Sequence, residues 1–297
     1  MSRRIILGVV FVLVLGAGGW ALYKAEQGRA SLRAAMANDV APDPVRSEPV
    51  PATPEPDAKA NSAAHPAVEP HPSTPPPDAG PLKAGEVLEF TANVGELSKV
   101  ASLKLQIASR NDFLGKPSWH LQAFAHTLNP LRMVFELDDR FDSYSDTAAL
   151  TSMQYEMHLS ERGTKVDSVQ RMTSTGREPA SPGASQTHVL PGTRDPLGMM
   201  QYLRTVDWSK TPEVHGPVYD GHKLYEVRAG LHGTQSVSVA AGTFNASKIN
   251  IQVFDNGAEM KDAKFTLYLS QDAARTPVLL EAVMPFATAR VELTKPR

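Results

Sequence analysis

Four aspartates, Asp138, Asp139, Asp142 and Asp146, fall within nine residues of this 297-residue chain. Calcium takes carboxylate oxygens from such clusters, yet the spacing of a calcium loop and its central glycine are missing. The structural alternative is adopted: Asp139 pairs with Arg140 beside a sheet, and Tyr144 buries its ring while its hydroxyl finds a partner. Asp139, Arg140 and Tyr144, together with Asp220 from a separate stretch, are the candidate ligand-binding residues. No catalytic residue and no metal ligand is assigned.

The nine histidines form no compact ligand pair. His120 and His126 are six apart, so on one strand they would share a face about 20 Å apart, too far for one ion. His215 and His222 flank a turn and could approach across a hairpin, but no third ligand accompanies them. Zero cysteines removes disulfides, thiol catalysis and thiolate-bound zinc together, and no cofactor is expected. Ser181-Pro182-Gly183-Ala184-Ser185 lacks the strand before and helix after that a nucleophile elbow requires. Glu136, Asp138 and Glu156 are candidates for paired-carboxylate glycoside cleavage, the basis of an alternative reading as a hydrolase of a cell-wall or surface polymer.

The elements that must position these residues are mostly strands. Leu103, Leu105 and Ile107 alternate with Lys104 and Gln106, and Met153, Tyr155, Met157 and Leu159 alternate with polar neighbours, the period of half-buried strands. The period returns at Val237 and Val239, at Ile249 to Val253, at Phe265 to Leu269 and at Val278 to Ala282. Asp220-Gly221 and Asn256-Gly257 accept the positive φ of tight turns, so the strands they join are antiparallel neighbours. Asp195-Pro196 starts the one helix, to about Val206, with Asp195 as cap and Pro196 at the first position. The tract from Thr173 to Thr193 has no apolar period and reads as a loop. The expected fold is mostly β: an antiparallel meander curled into an open or half-closed barrel, with the helix covering one face.

Ahead of this domain (83–297) the chain changes character twice. Residues 1–23 contain eighteen uncharged residues, Ile5 to Leu22, the lower limit for a membrane-spanning helix, with Arg3 and Arg4 before them and Trp20 and Tyr23 at the far end. A juxtamembrane segment, 24–40, follows. The linker, 41–82, carries 13 prolines between Ala41 and Pro81, cannot bury enough surface to order itself, and acts as a stiff spacer. The layout predicts a single-pass bacterial inner-membrane protein with a periplasmic domain; the alternative is a cleaved signal peptide and a soluble periplasmic protein. From Lys83 to Arg297 there are 23 basic and 24 acidic residues, which excludes the basic excess of a nucleic-acid binder.

A set of short motifs in order, Asp139-Arg140-Phe141-Asp142-Ser143-Tyr144, Asp195-Pro196-Leu197, Tyr202-Leu203-Arg204, Asp220-Gly221 with Lys223 and Tyr225, Ala241-Gly242-Thr243-Phe244, and Leu269-Ser270 with Asp272, Arg275, Pro277 and Val278, resembles the bacterial domain-of-unknown-function family 3108. The resemblance implies an exported, β-rich domain and transfers no active site. With Met133, Met153, Met157, Met199, Met200, Met260 and Met284 as an adaptable apolar inventory, a curled sheet could hold an apolar or amphipathic ligand such as a lipid. The expected role is therefore non-enzymatic: an envelope protein held to the membrane by its N-terminal helix and binding such a ligand or an envelope protein, or else a scaffold subunit of an envelope assembly.

Overall fold

The described residues form one largely antiparallel meander whose first and last strands meet in its middle. In the computed structural model, residues 80–261, 264–285 and 287–296 are described. The expected membrane helix, the juxtamembrane segment and all but the end of the linker lie outside them. Among the described residues no helix is long and apolar enough to cross a membrane.

The first half of the sheet comprises β1 (Val87–Val94), β2 (Leu97–Phe113), β3 (Lys116–Thr127), β4 (Asp138–Asp146), β5 (Ser152–Glu161), β6 (Thr164–Thr173) and β7 (Ser185–His188). After the helix α1 (Pro196–Thr205) come β8 (Glu213–Tyr219), β9 (Leu224–Val239) and β10 (Gly242–Asp255). The chain ends with β11 (Ala258–Glu259), β12 (Lys264–Ser270), β13 (Pro277–Val283) and β14 (Thr288–Pro296). Their order in the sheet is β7-β6-β5-β4-β3-β2-β1-β14-β13-β12-β10-β9-β8, with β11 on β10. Both expected hairpin turns are present: β8 and β9 pair up to Tyr219↔Leu224, and Asn256 and Gly257 both have positive φ.

The sheet is not closed, because its end strands β7 and β8 do not pair. A two-residue segment, Thr193-Arg194, links β5 to β8 instead. Ser152 N donates to Thr193 O on one side, while Arg194 N donates to Pro217 O and accepts from Tyr219 N through its carbonyl on the other. The 173–193 tract, expected to be a loop, contains β7, which pairs in parallel with β6. Its Ser-Gln-Thr-His sequence carries no apolar period because the strand is an edge and its residues are half-buried or exposed.

Helix α1 lies where expected. The Asp195 side chain accepts from Gly198 N at 2.8 Å, and Leu197, Met199 and Leu203 face the core. Gly198 lets the helix approach the sheet: a Cβ there would stand 2.9 Å from Ser152 Oγ, 3.0 Å from Ser145 Oγ and 3.1 Å from the Leu150 carbonyl. Neither serine can turn aside freely, since Ser152 Oγ accepts from Asp195 N and Ser145 Oγ bonds Ser143 Oγ. Gly198→Val is expected to destabilise the domain by about 2–3 kcal/mol through overpacking, measured as a lowered urea midpoint with an unchanged m-value.

Candidate functional site

Alternation along β4 divides the aspartate cluster between the two faces of the sheet. Arg140, Asp142 and Tyr144 share the outer face, while Asp139, Phe141, Ser143 and Ser145 point inward. Consecutive residues cannot pair across a pleat, so the expected Asp139–Arg140 pair does not form: Arg140 Nε instead meets Asp142 Oδ2 at 2.7 Å.

Asp142 is the centre of the outer cluster. Its carboxylate accepts from His120 Nε2 at 2.7 Å, Gln122 Nε2 at 2.6 Å, and Arg140 Nε and Nη2 at 2.7 and 2.9 Å. Burial alone would raise its pKa, but these bonds outweigh that and hold it well below the usual carboxylate range. Beside it, Phe113, Tyr144 and His120 form a three-ring stack with centroids 4.2 and 4.5 Å apart. Burial, then the charges of Glu156 and Asp142, raise the Tyr144 phenol. The row continues across β5, where Glu156 accepts from Gln154 and His158 Nδ1 lies 2.7 Å from Asp167.

Ligand atoms of Asp142, Glu156 and His158 lie within 4.8 Å of one another. A cation there would have to displace the Arg140 guanidinium from both Asp142 oxygens, so these residues do not fit a metal. The other aspartates have structural employment: Asp138 and Glu136 both bond Arg132, and Asp146 accepts from the amides of Ala148, Ala149 and Thr151. The carboxylates considered for hydrolysis, Glu136, Asp138 and Glu156, are each engaged by a neighbouring side chain.

The remaining candidates lie elsewhere. Asp139 is 3% exposed on the inner face; its Oδ1 accepts from Ser160 N at 2.8 Å, and its Oδ2 has no hydrogen bond among the described residues. Burial, assisted by the charges of Glu161 and Asp138 and opposed by the Ser160 bond, pushes its pKa up to about 7. Asp220 shapes the β8–β9 turn by accepting from the amides of His222 and Lys223. His215 lies opposite Arg228 across that hairpin, so the expected approach to His222 does not occur. The four candidates thus fall in three places rather than one.

A second polar cluster, absent from the sequence reading, holds the helix. Fully buried Arg204 makes a two-pronged ion pair with Glu86, at 2.6 and 2.9 Å, and also bonds Gln201 Oε1 and the carbonyls of Pro81 and Ala274. Asp272 folds the β12–β13 loop by accepting from the amides of Ala274 and Arg275. Arg275 then donates to the carbonyls of Arg204, Thr205 and Val206, capping the helix C-terminus. The motifs around Asp195, Arg204, Asp272 and Arg275 therefore secure α1 in the sheet.

The model of a family described as Protein of unknown function (DUF3108) matches residues 89–294. No curated protein matches the chain. Among solved structures, a β-barrel-like protein of domain family DUF1849 from Brucella abortus is 10% identical, with 71% of this chain and 96% of that one covered at a TM-score of 0.48. A candidate exported protein with a YmcC-like fold from Bacteroides fragilis is 10% identical, covering 73% and 98% at a TM-score of 0.34. A candidate lipoprotein from Parabacteroides distasonis is 12% identical, covering 72% and 96% at a TM-score of 0.34.

Proposed function

From the premise that this chain belongs to the DUF3108 family of proteins of unknown function, we propose a non-enzymatic, membrane-tethered envelope protein whose β-domain makes its contacts at its surface. The observation that carries the surface reading is the narrow space between α1 and the sheet among the described residues. The cavity there, lined by Phe90, Leu103, Leu105, Leu197, Met200 and other apolar side chains, measures about 20 Å³. That is room for about one water, whereas sites for small organic ligands occupy roughly 300–1,000 Å³. Of the methionines considered as pocket lining, Met199 is buried against the core but Met133 and Met260 are exposed.

Tethering is supported by the uncharged run Ile5 to Leu22 and the proline-rich spacer after it. Together they would hold the domain on the periplasmic side of the inner membrane. Carbonate-washed membranes are expected to retain the full chain and to release a variant lacking residues 5–22. Organic extracts of the purified protein are expected to contain no lipid in one-to-one ratio. A stoichiometric lipid would defeat the surface reading, and release of the full chain by carbonate would defeat the anchor.

A further inference from the structure

We propose that the end of the sheet away from the helix is a membrane-docking surface whose apolar tips enter the headgroup region of a lipid bilayer. The proposal deepens the surface-contact reading above and rests on it.

The register defines the two ends. Pairings Val94↔Leu97, His126↔Asp138, Glu161↔Thr164, Lys264↔Val283 and Val283↔Thr288 bring five connections to one end. They are direct neighbours there: Gly95 N donates to Thr288 O, Leu128 N to Val100 O and Arg162 N to Glu136 O, each at 2.9 Å. Helix α1 and the incoming chain lie at the other end, where Arg204 joins Pro81, Glu86 and Ala274.

Six large apolar side chains are exposed among the described residues, and five of them, Leu97, Met133, Val134, Met260 and Val283, stand at or beside these connections. Single exposed apolar residues are ordinary; five of six gathered at one end, away from Pro81 and helix α1, are not explained that way. Met133 and Val134, the most exposed at 82% and 68%, sit on a loop held so as to present them. Arg132 is drawn to Glu136 and Asp138, and Arg162 donates to the Val134 carbonyl with its guanidinium 5.1 Å from the Phe135 ring.

The chemistry around the tips selects the partner. Charges on the same connections come in both signs, such as Glu96 with Lys99 and Glu259 with Lys261. That arrangement matches zwitterionic headgroups and gives no preference for an anionic surface. The tips stand on separate turns with charged residues between them. A fluid interface accepts such side chains one by one, whereas a protein interface needs a continuous dehydrated core.

The test uses the full chain, inserted through its N-terminal segment into phosphatidylcholine nanodiscs and mixed with protein-free liposomes of phosphatidylcholine, with or without phosphatidylglycerol. Loaded nanodiscs are expected to float with both liposome types at low salt and in 0.5 M salt, and empty nanodiscs to stay behind. The double variant Met133→Glu, Val134→Glu should float at least tenfold less, and Leu190→Glu, at the other end, should float like the parent. Failure of the chain to enter nanodiscs would count against the anchor alone, and flotation of the free chain then reads docking directly. Absence of liposome capture would overturn the proposal and leave this end to a protein partner. Capture indifferent to the double variant, or capture that needs phosphatidylglycerol and disappears in salt, would overturn it as well.

Discussion

Arg204→Met is expected to cost the domain about 3–5 kcal/mol, the usual cost of removing one partner of a buried ion pair. The guanidinium is fully buried and answers Glu86, Gln201 and the carbonyls of Pro81 and Ala274 at once. Methionine fills much of the same volume but leaves these acceptors dehydrated and unpaired. Urea unfolding of Arg204→Met, Glu86→Gln and the double variant provides the measurement. Coupling is expected, so the double variant should lose clearly less than the sum of the single losses. Additive losses would show that Glu86 and Arg204 act separately.

Asp139→Asn is expected to stabilise the domain in alkaline buffer, by roughly 2–4 kcal/mol at pH 8. The folded-state pKa of Asp139, about 7, lies above its ordinary value of 3.8. Between those values the folded chain binds more protons than the unfolded one, so this group's contribution falls as pH rises from about 4 to about 7 and is level above that. Asparagine cannot ionise, and its side-chain oxygen can keep the bond from Ser160 N that Asp139 accepts at 2.8 Å. Thermal melts of parent and variant should therefore converge near pH 4 and separate as the pH is raised. A gap that does not change with pH would show that charge at Asp139 is not what the substitution relieves.

Much of this architecture is legible in the sequence because it is written locally. The alternation of Met153 to Leu159, the turn residues Asp220-Gly221 and the start of α1 at Asp195-Pro196 each depend on a few neighbouring residues, and each is found where expected. The outer cluster is not local. His120 and Gln122 meet Asp142 only because β3 pairs with β4 in the register Gln122↔Asp142, and nothing within either strand specifies that register. Asp139 and Arg140 are adjacent in sequence, but the pleat turns adjacency into opposition. The clamp on α1 is less legible still, since Glu86 and Arg204 are 118 residues apart. Motifs around Asp195, Arg204 and Arg275 are recognisable as strings, but their shared task is visible only once the sheet curls.

The pairing of β1 with β14 has a consequence for the birth of the protein. Leu88 lies opposite Pro296, and Val94 opposite Ala289, so the seam at the middle of the sheet joins the two ends of the domain. A chain delivered amino end first can build hairpins as it emerges, but it cannot join its halves until β14 is free. Until then both flanks of the seam are unpaired edges of the kind that recruit foreign strands. Contacts of such sequence separation also make for slow folding. The last strand, β14, is therefore the one that commits the fold.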